Sequence, residues 1–254
     1  MTAPIEVFFW TTPNAWKITL ALEEMELPYV IRPVPIGKGE QFKPEFLAIS
    51  PNNRVPAIVD HEGPGSTPIT VFESGAILQY LGRKTGAFYP ADERQRVEVD
   101  KWLFWQMAGV GPMFGQASHF NIYAPNLVDD AVKIEYSAKR YSNEANRLLG
   151  VLDRRLTDHT FVADEYSIAD MALYPWVATA SFFGQDVSAF PRVAAWLDRI
   201  TARPAVKRGM AAGAELRRPP PAPGSDEQRE FARALFGHTA ATVAEASLDK
   251  ARAS

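Results

Sequence analysis

The amino-acid sequence points to an α/β module followed by an all-α, helical one. Over roughly the first 85 residues, short β-branched and aromatic runs alternate with helical patterns. From Asp92 to about Met210 the apolar periodicity is helical, with no alternating strand pattern. At 254 residues the chain is long enough for two ordinary domains and a substantial core.

Each element follows from a local pattern. Ile5–Trp10 is a compact β-branched and aromatic run, read as a buried strand. After the turn "TTPN", the segment "AWKITLALEEMEL" places Ala15, Ile18, Leu22 and Met25 on one helical face, and Pro28 ends it. "YVIRPVPI" is a strand whose prolines suit a sheet edge. "KPEFLAISP" is a short helix, and "VPAIVD" and "PITVF" are strands separated by the turn-rich "HEGPGST". "ESGAILQYLGRKTG" is a helix closed by Gly82 or Gly86, which makes the order β-α-β-α-β-β-α. "GAFYPADE" marks the boundary. Helices are then expected in "ERQRVEVDKWLFWQMAGVG", the stretch from Asn126 to Leu156, "SIADMALYPWVATASFF" and "PRVAAWLDRITARP". "RRPPPAPGSDEQ" should be extended, and a final helix from Asp226 to about Lys250 carries Phe231, Leu235 and Phe236 as a docking stripe. A disordered, alanine-rich tail is the alternative for that last segment.

Composition excludes several chemistries. There is no cysteine, so disulfide frameworks, Cys-ligated metal sites and a cysteine nucleophile are ruled out. The four histidines, His61, His119, His159 and His238, lack metal-ligand spacing, and no metal is expected. A net charge of −3 and a pI near 5.9 give no electrostatic footprint for nucleic acid or anionic lipid. The first residues lack the basic and apolar regions of a signal peptide, and no run approaches the ~20 apolar residues of a membrane span. A cytoplasmic protein with neither nucleic-acid nor membrane partners is the expectation.

Three blocks of the first module could carry chemistry. In "FESGAI", Glu73 and Ser74 stand where a strand becomes a helix, and unpaired N–H groups there suit a carboxylate. Ser74 adds a hydroxyl donor and Glu73 can pair with an ammonium, so the two would recognise an α-amino-acid end; a simple capping pair is the alternative. "NNRVPAIVD" sets Pro56 directly before a strand. "TTPN" offers only hydrogen-bond donors: Thr12 and Asn14 can stabilise an anion but are not basic enough to take a proton. The same turn also reads as a capped helix start, and both readings can hold. "GVGPMFG" looks like a dinucleotide loop but follows a helical pattern, so a kink in a long helix is expected. "SIAD" has the form of a capping box.

"TTPN", "GKGEQFKPEFLAISPNNRVPAIVD", "FESGAILQYL" and "WLFWQMAGVGPMFGQ" occur in the order and spacing of the soluble glutathione transferases and resemble the bacterial nu class. That class includes disulfide-bond oxidoreductases and is related to a yeast prion-forming homologue. The resemblance covers roughly residues 5–210 and not the tail after Pro219. It implies a thioredoxin-like, glutathione-binding domain over residues 1–86 and an all-α substrate domain over 92–210, with 211–254 as a Pro-rich strap and helical extension. It further implies a cis Val55–Pro56 bond that turns the Val55 backbone towards an extended peptide, and Gln41 at the glycyl end. Asn53 and Lys17 are weaker members of the neighbourhood; Arg140 would reach the ligand from the helical domain or a dimer partner, unless it is simply a solvated helix residue.

The sulfur then arrives with glutathione, as co-substrate, and Thr12 and Asn14 favour its thiolate. The implied activity is glutathione-dependent reduction of small disulfides by a homodimer. Conjugation or ether cleavage of aromatic substrates, or a non-catalytic binding or regulatory role, are the alternatives.

Overall fold

The computed structural model describes residues 3–128, 130–217, 221–222 and 224–242. Strands β1 (Ile5–Phe9), β2 (Tyr29–Pro33), β3 (Ala57–Asp60) and β4 (Ile69–Phe72) form one sheet in the order β2-β1-β3-β4. β1 and β2 run parallel, pairing Ile5 with Tyr29; β3 is antiparallel to both β1 and β4. β2 takes an edge, as Pro33 within it requires. Between the strands lie α1 (Pro13–Glu24) and the short α2 (Pro44–Leu47), and α3 (Ser74–Thr85) follows β4. Ala15, Ile18 and Leu22 of α1 are fully buried, while Met25 is only partly so. Gly86, left-handed at φ 68°, closes α3; Gly82 lies within the helix, where the Tyr89 side chain leaves no space for a Cβ.

The remainder is helical: α4 (Glu93–Trp105), α5 (Gly111–Ser118), α6 (Ala131–Arg155), α7 (Ile168–Ala178), α8 (Pro191–Thr201) and α9 (Pro204–Ala211). The expected kink is a π-helical turn, Gln106–Val110, that leads from α4 into α5. Pro112 has no N–H for the carbonyl four residues back, and the helix widens just before it. A second π turn spans His119–Tyr123. At the start of α7 the capping box forms: Ser167 Oγ accepts the Ala169 N–H, and Asp170 Oδ2 accepts the Ser167 N–H. Asp170 Oδ1 also accepts from the Val162 N–H and the Trp196 indole, and burial pushes this carboxyl up to about 6.

One core runs through both parts. Val7, Phe9, Ile18 and Leu22 share a cluster with Leu103, Phe114, Met171, Trp196 and Val206. α1 is its pivot, packed on α3, α7 and α9. Gly209 of α9 touches α1 so closely that a Cβ would sit 2.6 Å from Leu20 Cα, and its carbonyl accepts the Thr19 hydroxyl at 2.8 Å.

The tail forms one helix, α10 (Asp226–Phe236), capped by Ser225 and closed at Gly237. It is shorter than the sequence suggested, and residues 243–250 of that expectation lie outside the described residues. α10 bridges the 36–42 segment and the 124–126 turn, with Ala232 fully buried. A Cβ on Gly37 would run into the Phe231 ring, so the ring seats against a bare backbone and would have to shift for any larger residue. Among the described residues no helix is long and apolar enough to cross a membrane.

Candidate functional site

A cavity of about 610 Å³ opens between the sheet and the helical part. Thr12, Asn14, Lys17, Gln41, Asn53, Val55, Pro56, Glu73 and Ser74 all line it. Arg140 lies outside: it is exposed on α6, 3.8 Å from Glu144. The sheet places the others together, because β1, β3 and β4 are neighbours. The α1 and α3 N-termini and the segment before β3 therefore meet at one end of the sheet.

At the first turn, Thr12 is the N-cap of α1, and its Oγ1 accepts the Ala15 N–H at 3.4 Å. Accepting in this way leaves the hydroxyl proton free to be donated. The Asn14 Oδ1 accepts the Trp176 indole N–H at 3.0 Å. The capping reading is thus realised at this turn, with the Thr12 hydroxyl proton and the Asn14 amide N–H groups unused among the described residues.

At the start of α3 the capping alternative is not realised. Glu73 makes no side-chain cap; its carboxylate accepts from Asn52 Nδ2 at 3.3 Å. Its backbone sits at φ 71°, a region L-residues rarely adopt and one that concentrates at functional sites. The 12-residue α3 therefore presents its first-turn N–H groups, with Ser74, at the cavity.

Lys17 is fully buried beneath this helix end. Its Nζ donates to Gln106 Oε1 at 2.6 Å and to Ser74 Oγ at 3.2 Å, with Met107 Sδ at 3.5 Å. Among the described residues no carboxylate lies within ion-pair distance of it. Burial draws the ammonium down to about 7, against the raising influence of Glu73. Gln106 Nε2 is buried with no partner among the described residues. The site thus holds a cation without a full counter-charge.

The third side is backbone. The Val55–Pro56 bond is cis, and neither the N–H nor the C=O of Val55 is hydrogen-bonded within the described residues. Asn53 beside it is left-handed at φ 47°. Buried Gln41 donates through Nε2 to the Ala234 carbonyl of α10 at 3.4 Å, while its Oε1 has no partner among the described residues.

Sequence reasoning missed Gln106, Met107 and Trp176, which face the cavity from the helical part, and His238 in the tail; Leu235 and Phe236, expected as docking residues, close the cavity beside it. The Phe236 ring lies 4.6 Å from His119 and 5.0 Å from Tyr123. His119 and Phe120 stand behind this wall; Phe120 stacks on Tyr141.

Comparison with known proteins gives a consistent answer. Residues 11–84 match the model for "Glutathione S-transferase, N-terminal domain", and residues 111–204 match that for the C-terminal domain. The Escherichia coli K12 disulfide-bond oxidoreductase YfcG is 48% identical over 208 residues, covering 81% of this chain and 94% of that one. A Pseudomonas putida glutathione transferase, solved with one glutathione disulfide per subunit, superposes with a TM-score of 0.77 at 41% identity, covering 82% and 91% of the two chains. A Pseudomonas fluorescens family member with two glutathione bound gives 0.75 at 42% identity, covering 81% and 92%.

Proposed function

The chain belongs to the glutathione S-transferase family, and we propose that its cavity reduces small disulfides at the expense of glutathione. One observation carries this reading. The turn that faces the cavity supplies two hydrogen-bond donors, Thr12 and Asn14, in a chain without cysteine. The reactive sulfur must then come with the ligand.

Glutathione suits the donor set. The α3 N-terminus and Ser74 take the carboxylate of its γ-glutamyl end, and Glu73 takes the ammonium. That carboxylate also supplies the counter-charge that Lys17 lacks. Val55 pairs with the peptide backbone, and Gln41 and Asn53 meet the glycyl end. A cavity of about 610 Å³ is within the range of small-molecule sites, with room for a second substrate.

The bound thiolate attacks one sulfur of a disulfide, forming a mixed disulfide and releasing a thiolate that takes a proton from water. A second glutathione thiolate attacks the glutathione sulfur of that mixed disulfide. It releases the other thiol and glutathione disulfide, so both electrons come from glutathione. The relatives named as disulfide-bond oxidoreductases, and the neighbours solved with two glutathione molecules or with glutathione disulfide, support this sequence. The apolar wall of Met107, Phe183, Leu235 and Phe236 also suits an aromatic electrophile, which keeps conjugation as the second reading.

Turnover of Thr12→Ala and Asn14→Ala with glutathione and 2-hydroxyethyl disulfide tests the assignment. Each lost donor to a thiolate is worth about 1.5–3 kcal/mol, so at least a tenfold fall is expected. Near-wild-type rates in both would refute it; rates preserved only with an aryl halide would favour conjugation. The working unit is a homodimer in a cytoplasm rich in reduced glutathione. Exposed Phe72, Val97, Phe104 and Tyr136 on β4, α4 and α6 provide apolar surface for the second copy. A monomer of 28.2 kDa in sedimentation at micromolar concentration would exclude that assembly.

A further inference from the structure

We infer that Trp176 is the positioning residue that aims the Asn14 amide at the glutathione sulfur, an inference that rests on Asn14 being a thiolate donor. An amide is two-faced. Its nitrogen donates and its oxygen accepts, and rotation by half a turn about the last side-chain bond exchanges them at little cost. A thiolate is stabilised by the nitrogen and repelled by the oxygen. An untethered Asn14 would present either end.

The tether is the indole of Trp176. An indole N–H only donates, so the Asn14 atom 3.0 Å from Nε1 must be the oxygen. The nitrogen is thereby left over. Asn14 Nδ2 makes no hydrogen bond within the described residues, yet it is not sealed from solvent, and the residue lines the cavity. It is a donor held in reserve for a ligand.

Trp176 is itself held firmly. It is buried on α7, one residue after Pro175, with its ring 5.5 Å from that of Phe183. Gly111 and Gly115 of α5 face it, and a Cβ at Gly115 would come 3.8 Å from the outer edge of the indole. The capping box fixes the N-terminus of the same helix two turns earlier. The helical part therefore does more than supply a substrate wall. Through one bond across 162 residues of chain it decides which end of an amide on the sheet domain meets the sulfur.

A double-mutant cycle tests this. Trp176→Phe removes the N–H, and benzothienylalanine at position 176 keeps the bicyclic shape without it, in case the smaller ring disturbs folding. Each is made with Asn14 and with Asn14→Ala, and the thiol pKa of bound glutathione is read from thiolate absorbance against pH. Both changes at 176 should raise that pKa and lower kcat at pH 7 by threefold to tenfold, with little change in KM for glutathione. In the Asn14→Ala background they should add nothing. Equal effects in the two backgrounds, or a shift with Asn14→Ala but none with benzothienylalanine, would overturn the role of Trp176. No shift with Asn14→Ala would overturn the donor reading beneath it.

Discussion

Replacing Lys17 by methionine should make the protein's stability less dependent on pH, and the size of the effect follows from its burial. Lys17 is fully enclosed, bonded to Ser74 and Gln106, with no carboxylate at ion-pair distance among the described residues. Burial brings its ammonium from the ordinary 10.5 to about 7. At ~1.36 kcal/mol per pH unit, this difference is on the order of 5 kcal/mol. The sign follows from linkage: between these two values the unfolded chain binds the proton and the folded one does not, so folding gains as pH rises. From pH 7 to pH 9 the wild type should gain roughly 2–3 kcal/mol that Lys17→Met does not. Methionine keeps the apolar stem but leaves Gln106 Oε1 without its donor, which sets a constant offset of about 1–3 kcal/mol and does not alter the slope. Urea unfolding of both proteins at several pH values measures the difference directly. Parallel stability curves from pH 7 to 9 would refute the reasoning, because they would mean that Lys17 keeps its ordinary affinity for a proton.

Three further outcomes are expected. Asp170→Ala strands the Val162 and Ser167 N–H groups and the Trp196 indole, and should cost about 3 kcal/mol or more, a fall of roughly 6–12 °C in Tm by calorimetry. Phe236→Ala opens the tail wall and should raise KM for an apolar disulfide about fivefold, the equivalent of ~1 kcal/mol of contact. Gly37→Ala should unseat α10 and, through the Ala234–Gln41 bond, weaken glutathione binding as well in titration calorimetry.

What the sequence revealed and concealed divides along physical lines. Strands and helices were legible because their signals are local: the edge proline Pro33 of β2, the α1 stripe of Ala15, Ile18 and Leu22, the Ser167–Asp170 box. The residues gathered around the cavity were legible where a turn announces them, as at Thr12, Pro56 and Ser74. Trp176 gave no signal, since it sits in a run of apolar helix residues and meets Asn14 only through tertiary packing. The same holds for Gln106, whose π turn depends on Pro112 ahead of it and whose side chain meets Lys17 only on folding. The tail was read as a docking helix, but its partner segment at Gly37 and Gln41 lies nearly two hundred residues away in the chain. Its reach to Gln41 means that the extension touches the sheet-domain side of the cavity as well as the helical side.

The seam between α1 and α9 has a consequence for how the protein is made. Thr19 and Gly209 are separated by 190 residues, yet each covers the other. During synthesis α1 leaves the ribosome early with one of its faces bare, because the helix that covers it has not been translated. At about 5–20 residues per second that face waits roughly 10–40 s for its cover. The α1 face that α9 covers has no cover from that helix until then, and a ribosome stalled before α9 would display Leu20 and its neighbours to any chaperone within reach.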